Sequence, residues 1–265
     1  MSGRAPTDLQ ALVDLVARLR APGGCPWDRE QRLPDLRAYL LEEAHELAGA
    51  IDEGAWEAIA EELGDLLFQA AFIARMAEEA GAFGAGQAIA GVEEKMIARH
   101  PHVFGGEELP DADAVRAAWE RRKLAREPRQ GGLLQGVAAS LPALLAAYRL
   151  TQKAAGVGFD WPDAASVLAK VDEEMAELRE ALAAPASPRS MKDAVTEEVG
   201  DLLFTLANLA RKLDVDPEAA LAAANLKFRR RFAAVEAGLA ARGKGPAEAT
   251  LAEMDELWEA AKTRT

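Results

Sequence analysis

The sequence predicts an all-α protein that contains two tandem helical domains. Hydrophobic residues make up 50% of its 265 residues, with only 2 tyrosines, and their spacing follows the helical period. The stretch EELGDLLF, at residues 61–68, recurs as EEVGDLLF at 197–204, and each copy follows a second acidic segment. Those segments are LLEEAHEL at 40–47 and VDEEMAEL at 171–178. This internal repeat indicates that one helical unit occurs twice.

The length of the chain suits two domains of about 120 to 130 residues each. The segment REPRQGG, at residues 126–132, combines proline with two glycines and is typical of a linker. We therefore expect an N-terminal domain over residues 1–127, a linker over 128–135 and a C-terminal domain over 136–265.

Five segments of the N-terminal half have the pattern of helices. We expect helices over residues 7–20, 36–53, 55–80, 89–99 and 113–127. Gly54 and Gly81 follow the second and third of these, where glycine commonly ends a helix. Between the first two lies CPWDREQ, at 25–31, which Pro26 predicts to be a loop. Trp27, in that loop, is expected to anchor the core rather than to contact a ligand.

The C-terminal half repeats this order of elements. We expect helices over residues 141–154, 164–184, 191–213, 218–242 and 251–262. The loop GVGFDWP, at 156–162, precedes the acidic helix much as CPWDREQ precedes the first one. Pro217 is placed to open the fourth helix, because proline suits the first helical position.

Composition excludes several classes of protein. The net charge of −13 argues against a nucleic-acid partner, because such proteins need a basic surface. A single cysteine, Cys25, rules out an intrachain disulfide framework and fits a reducing compartment. The sequence shows neither a signal peptide nor an apolar run of about 18 residues. We therefore expect a cytoplasmic protein that has no membrane partner.

The repeated acidic helices predict a cation site in each half. Residues one helical turn apart share a face, so Glu43 and Glu46 point the same way, as do Glu62 and Asp65. A short connection makes the two helices antiparallel and brings the four carboxylates together. Crowded carboxylates beside an apolar face repel one another, and a cation relieves that repulsion. The equivalent acids of the second copy are Glu174, Glu177, Glu198 and Asp201.

A solvated acidic helix face is the ordinary explanation of such a pattern, but its occurrence twice at equivalent places favours a site. Oxygen ligands without His or Cys select Mg²⁺, with Mn²⁺ as a substitute. Lys227 and Arg231 lie on one face of a basic helix, where they suit phosphate groups, although salt bridges explain them equally well. Acids, metal and bases together indicate hydrolysis of a phosphoanhydride.

The motifs also resemble a known family. EExxE followed by ExxD on paired helices, with CPWDREQ, RHPHVF and GVGFDWP around them, resembles the MazG nucleoside triphosphate pyrophosphohydrolases of the all-α NTP pyrophosphatase group. The resemblance implies Mg²⁺-dependent cleavage of NTPs or dNTPs, including non-canonical or damaged ones, to the monophosphate and pyrophosphate. It also implies two tandem MazG domains in a homodimer, whose two chains together complete each four-helix bundle.

The resemblance assigns roles to individual residues. It implies metal ligation by the eight acids named above, with Glu198 and Glu62 as catalytic carboxylates. It further implies that substrate is contacted by Glu173, Lys227, Arg231 and Trp258, and in the N-terminal half by Glu42, Lys95 and Arg99. The basic string NLKFRRRF has only the partial equivalent EKMIARHP in the first half. We therefore expect the C-terminal half to carry most of the turnover.

Two alternatives compete with this interpretation. One is a non-catalytic helical interaction or regulatory protein that binds a nucleotide–metal complex. The other is a di-iron carboxylate protein, which is also built on four helices but requires Glu-x-x-His pairs, and which we do not expect. Release of pyrophosphate from a triphosphate, with and without Mg²⁺, distinguishes the first alternative from an enzyme.

Overall fold

The computed structural model describes residues 9–112, 114–115, 118–119, 122, 132–184 and 188–262. Throughout these residues the regular structure consists of α-helices and two short 3-10 segments, without a β-strand. The chain forms two compact units, Met1–Trp119 and Glu120–Thr265. The expected all-α class with two tandem helical domains is thus confirmed. Residues 128–131 of the expected linker, and most of the expected helix over 113–127, lie outside the described part of the chain.

The first unit is built around a helical hairpin. Its helices are α1 (Leu9–Arg20), α2 (Pro26–Glu30), α3 (Leu36–Glu53), α4 (Trp56–Glu79), α5 (Ala85–Arg99) and α6 (Pro101–Phe104). Gly54 ends α3 with a φ of 71°, and its N–H donates to the carbonyl oxygen of Ala50 at 3.1 Å. The chain then reverses into α4, and α1 packs on α4 through the buried residues Val13 and Val16.

The second unit repeats the hairpin with longer helices. Its elements are a 3-10 segment (Leu133–Gly136), α7 (Ala143–Ala155), α8 (Ala164–Ala183), α9 (Pro188–Lys212), α10 (Pro217–Ala241), a second 3-10 segment (Pro246–Glu248) and α11 (Leu251–Lys262). Asp163 caps α8 by accepting a hydrogen bond from the backbone N–H of Ser166 at 2.8 Å. Helices α8 and α9 pair, α7 packs on α9, and α11 packs on α10.

The segment before the first acidic helix differs from its prediction. CPWDREQ contains the short helix α2, because Pro26 occupies a first-turn position where its missing N–H costs no hydrogen bond. Trp27 is 58% exposed and touches Tyr39 edge-on, with ring centroids 5.9 Å apart. The expectation that Trp27 anchors the core was therefore wrong.

The loop between α7 and α8 is fastened to the end of α9. The Asp160 carboxylate accepts hydrogen bonds from Arg211 Nη2 at 2.5 Å and from Lys212 Nζ at 2.8 Å. Both cations lie in the last turn of α9, where the helix dipole also favours positive charge. Among the described residues, we find no helix that is long and apolar enough to cross a membrane.

Candidate active site

Each unit brings three carboxylates of its hairpin together. In the first unit, oxygens of Glu43 on α3 and of Glu62 and Asp65 on α4 lie within 4.8 Å of one another. In the second unit, Glu174 on α8 meets Glu198 and Asp201 on α9 within the same distance. The three-residue spacing on α4 and α9 puts both acids of each helix on one face, as expected from the sequence.

Two carboxyls of the first cluster have raised pKa values. Burial raises the pKa of the Glu62 carboxyl, and the nearby charges of Glu46, Glu61 and Asp65 raise it further. Burial likewise raises the pKa of Glu43, with Asp65 as the next cause. Because like charges at short range disfavour ionisation, a bound cation would favour the charged forms.

The second cluster behaves in the same way. Burial raises the pKa of Glu198, and the charges of Glu177, Asp201 and Glu174 add to the effect. Glu177 and its counterpart Glu46 are exposed and lie outside the two close groups of three. They are nevertheless near enough for their charge to act on Glu198 and Glu62. They therefore sit at the rim of each cluster.

One residue makes the two clusters different. Lys170 Nζ lies 2.7 Å from Glu174 Oε1 and 2.8 Å from Glu173 Oε1, and these two contacts raise the pKa of the lysine. The first unit has Tyr39 at the equivalent position, so its cluster has no such lysine. Sequence analysis missed this ion pair, although spacings of three and four residues on one helix are its usual signal.

Glu174 is the most buried acid of either cluster. The residue is 4% exposed, and its Oε2 atom has no hydrogen-bond partner within the described residues, whereas Oε1 contacts Lys170. A buried carboxylate oxygen without a donor is costly unless something binds it. This orphaned oxygen, within a set of oxygen ligands only, fits a hard divalent cation.

The donor set does not fit a di-iron centre. Glu42 and His45 do have the Glu-x-x-His spacing of such proteins, but Ala176 takes the place of the histidine in the second unit. His45 is exposed, and neither group of three carboxylates includes a histidine.

The expected substrate residues on the basic helices form a matching arrangement in both units. The Arg99 guanidinium lies over the Trp119 ring, 5.1 Å from its centroid, and that of Arg231 lies over Trp258 at 5.9 Å. Lys95 and Lys227, one turn earlier on α5 and α10, are exposed. EKMIARHP is thus a closer counterpart of NLKFRRRF than its letters suggest.

The ion pairs described for the second acid cluster involve Lys170. No ion pair within the described residues joins Lys227 or Arg231 to the carboxylates of the second cluster. Glu42 is exposed, and Glu173 is exposed and paired with Lys170. Among the described ion pairs, Glu173 and Glu174 thus pair with Lys170 rather than with the basic helix.

Comparisons with known proteins agree with this site. The family model of the MazG nucleotide pyrophosphohydrolase domain matches residues 31–104, and that of phosphoribosyl-ATP pyrophosphohydrolase matches residues 153–227. Each match includes one acid cluster.

Two relatives of known name match nearly the whole chain, and a third matches part of it. A nucleoside triphosphate pyrophosphohydrolase/pyrophosphatase MazG of Thermotoga maritima is 41% identical over 256 residues, which cover 96% of this chain and 95% of the relative. The nucleoside triphosphate pyrophosphohydrolase of Escherichia coli K12 is 40% identical over 261 residues, 96% of this chain and 97% of the relative. That of Mycobacterium tuberculosis is 37% identical over 176 residues, 62% of this chain and 53% of the relative. The chain therefore belongs to the MazG family of nucleoside triphosphate pyrophosphohydrolases.

Proposed function

We propose that the enzyme hydrolyses nucleoside triphosphates, both NTPs and dNTPs, to the monophosphate and pyrophosphate with Mg²⁺ bound at its carboxylate clusters. The observation that carries this proposal is the pair of clusters whose oxygens converge within 4.8 Å. The raised pKa values of Glu62 and Glu198 support it, because both carboxylates gain from a cation beside them. Damaged or non-canonical nucleotides are included as candidate substrates.

The acids of each cluster divide the work of holding metal and accepting a proton. The proposed metal ligands of the second unit are Glu174, Glu177, Glu198 and Asp201, and those of the first unit are Glu43, Glu46, Glu62 and Asp65. When bound, Mg²⁺ neutralises phosphate charge and lowers the pKa of a water. Glu198 and Glu62 are the proposed catalytic carboxylates, and either of them would accept a proton from the attacking water.

The bases hold the phosphates from the opposite side. Lys227 is exposed and free to reach a phosphate oxygen, and Arg231 has a buried Nε without a hydrogen-bond partner in the described part of its unit. Trp258 fixes the Arg231 guanidinium and stacks on the base or closes the site. Lys95 and Arg99 are the proposed equivalents in the first unit. We propose that the second unit performs most of the turnover.

A second copy of the chain is proposed to complete each bundle. The acidic helices leave large apolar side chains exposed, including Leu63 at 44%, Leu67 at 43% and Leu203 at 48%. Such apolar stripes on helical hairpins are normally covered by further helices. A homodimer with a two-fold axis covers the same stripe of both chains at once.

Pyrophosphate release from a purified sample tests the function. We expect release from a triphosphate with Mg²⁺ and none with a chelator, and a panel of ordinary and damaged nucleotides ranks the substrates. Asp201→Ala should lower turnover by orders of magnitude, whereas Asp65→Ala should lower it less. The reverse order would assign catalysis to the first unit. A protein that binds nucleotide and Mg²⁺ without releasing pyrophosphate would instead be the non-catalytic alternative.

A further inference from the structure

The second unit contains a cavity that none of the roles above uses. It has a volume of about 230 Å³ and lies between α7, the GVGFDWP loop and α9. Its walls include the aromatic rings of Phe159, Trp161 and Phe204, and Thr151 and Asn208 are among its polar residues. Such a shape, apolar and aromatic with few polar groups, is typical of sites for flat organic ligands.

Asn208 is the unsatisfied group in this cavity. The residue is 1% exposed, and its Oδ1 atom accepts a hydrogen bond from Arg211 Nε at 2.9 Å. That bond fixes the orientation of the amide, so Nδ2 is the atom that lacks a partner among the described residues. Leaving a buried donor unpaired is costly, so an acceptor placed in the cavity would stabilise this group.

The other polar groups of the cavity are already engaged. The Thr151 hydroxyl lies 3.0 Å from the carbonyl oxygens of Ala147 and Tyr148, to which it donates. Both oxygens of Asp160 accept hydrogen bonds from Arg211 and Lys212. A ligand in the cavity is thus offered aromatic walls and the amide donor of Asn208.

The cavity continues the face of α9 that carries the acid cluster. Asp201, Phe204 and Asn208 follow one another at spacings of three and four residues, so they form one stripe along the helix. Asn208 lies about 10 Å along the axis from Asp201. A nucleotide whose phosphates meet the acids can therefore reach the cavity with its base.

In the first unit, a phenylalanine takes the position of Asn208. Phe68 and Phe72 occupy the positions of Phe204 and Asn208, and their rings meet edge to face with centroids 6.0 Å apart. Phe72 is 2% exposed, and the Arg20 guanidinium lies 5.5 Å from its ring centroid. A core phenylalanine thus fills the place that Asn208 lines in the second unit.

We propose that the cavity of the second unit receives the nucleobase of the substrate and that Asn208 Nδ2 donates a hydrogen bond to a base acceptor. This inference rests on the proposed function, since it assumes a triphosphate at the acid cluster. It makes Asn208 a specificity-determining residue, and it leaves to Trp258 the closing of the site rather than the stacking of the base. It also restricts base recognition to the second unit.

Binding measurements with and without a base test the assignment. The probes are the α,β-methylene triphosphates of uridine and cytidine, which resist cleavage, and inorganic tripolyphosphate, all with Mg²⁺ and measured by calorimetry. In Asn208→Leu, the ratio of the affinity for the uridine probe to that for tripolyphosphate should fall about tenfold. This change corresponds to a loss of about 1.4 kcal/mol of binding free energy. Phe72→Leu, at the equivalent buried position of the first unit, should leave that preference unchanged.

A second variant separates base reading from packing. Asn208→Asp keeps an acceptor for Arg211 but replaces the amide donor by an oxygen of nearly the same size. The preference for uridine over cytidine should then fall about tenfold, because uracil offers an acceptor where cytosine offers an amino donor. The assignment is wrong if Asn208→Leu leaves the preference for the uridine probe over tripolyphosphate unchanged. It is also wrong if Asn208→Asp leaves the ratio of uridine to cytidine affinity unchanged. If neither triphosphate nor tripolyphosphate binds the wild-type protein, the proposed function itself fails.

Discussion

Removing Lys170 should expose the electrostatic cost of the second carboxylate cluster. The lysine is 30% exposed and lies 2.7 Å from Glu174, whose side chain is 6% exposed. Deleting one partner of a buried ion pair costs about 3 to 5 kcal/mol. Because water reaches the lysine, we expect the lower value for Lys170→Met, about 3 kcal/mol, in metal-free protein at neutral pH. At about 2 to 4 °C per kcal/mol, the melting temperature should fall by about 6 to 12 °C.

Mg²⁺ should reverse much of this loss. In the wild-type protein, Lys170 already neutralises the Glu174 carboxylate through Oε1, which would weaken its attraction for a cation at Oε2. In the variant this neutralising charge is absent, so the melting temperature should rise more steeply with Mg²⁺ concentration than it does in the wild type. The structure thus predicts a variant that is less stable without metal and binds metal more tightly.

Differential scanning calorimetry in chelator and over a Mg²⁺ series measures both effects. Lys192→Met, a change of the same chemistry at an exposed position of α9, serves as the control and should leave both curves unchanged. The reasoning is refuted if Lys170→Met melts at the wild-type temperature in chelator and shows the wild-type response to Mg²⁺. Tyr39→Lys is the reciprocal variant and should weaken the Mg²⁺ response of the first unit.

Three further predictions concern pH, stability and assembly. A carboxyl whose pKa is raised on folding binds more protons in the native state, so its contribution to stability falls as pH rises through the raised pKa. Glu198→Gln removes this carboxyl and should therefore stabilise the metal-free protein more at pH 7 than at pH 5. Urea unfolding at the two pH values measures the difference. Arg20→Met should destabilise the first unit by about 2 kcal/mol, because Arg20 donates hydrogen bonds to Glu79 at 2.8 Å and to the Asp28 carbonyl oxygen at 2.6 Å. Thermal unfolding measures this change, and an unchanged midpoint would contradict it. Leu203→Glu should shift the sedimentation of the protein from dimer toward monomer, and an unaltered dimer would place the interface elsewhere.

Local signals predicted the helices well. The helices over Leu36–Glu53 and Leu251–Lys262 have the expected bounds, and Gly54 ends the first of them as expected. The repeat also paired the correct acidic segments, because a hairpin with a short connection has few ways to fold. These features depend on neighbours within a few residues, which a single sequence records.

The cavity of the second unit was beyond such signals. It exists because the loop around Asp160 returns to Asn208 on α9, two residues that stand far apart in the chain. Trp27 was misplaced for the same reason, since its exposure depends on how α2 packs rather than on its residue type. The contact of Lys170 with Glu174 was instead readable from spacing and was overlooked.

The fastening of Asp160 to α9 has a consequence for the speed of ligand capture. Loops that line binding sites commonly order themselves around the ligand, and that ordering costs entropy at each encounter. Here Arg211 and Lys212 hold the loop, so its conformational freedom is lost once, during folding. Binding at a preorganised wall needs no ordering of this loop, and association rates should then vary little among bases. Discrimination between nucleotides should appear instead in how long each of them stays bound.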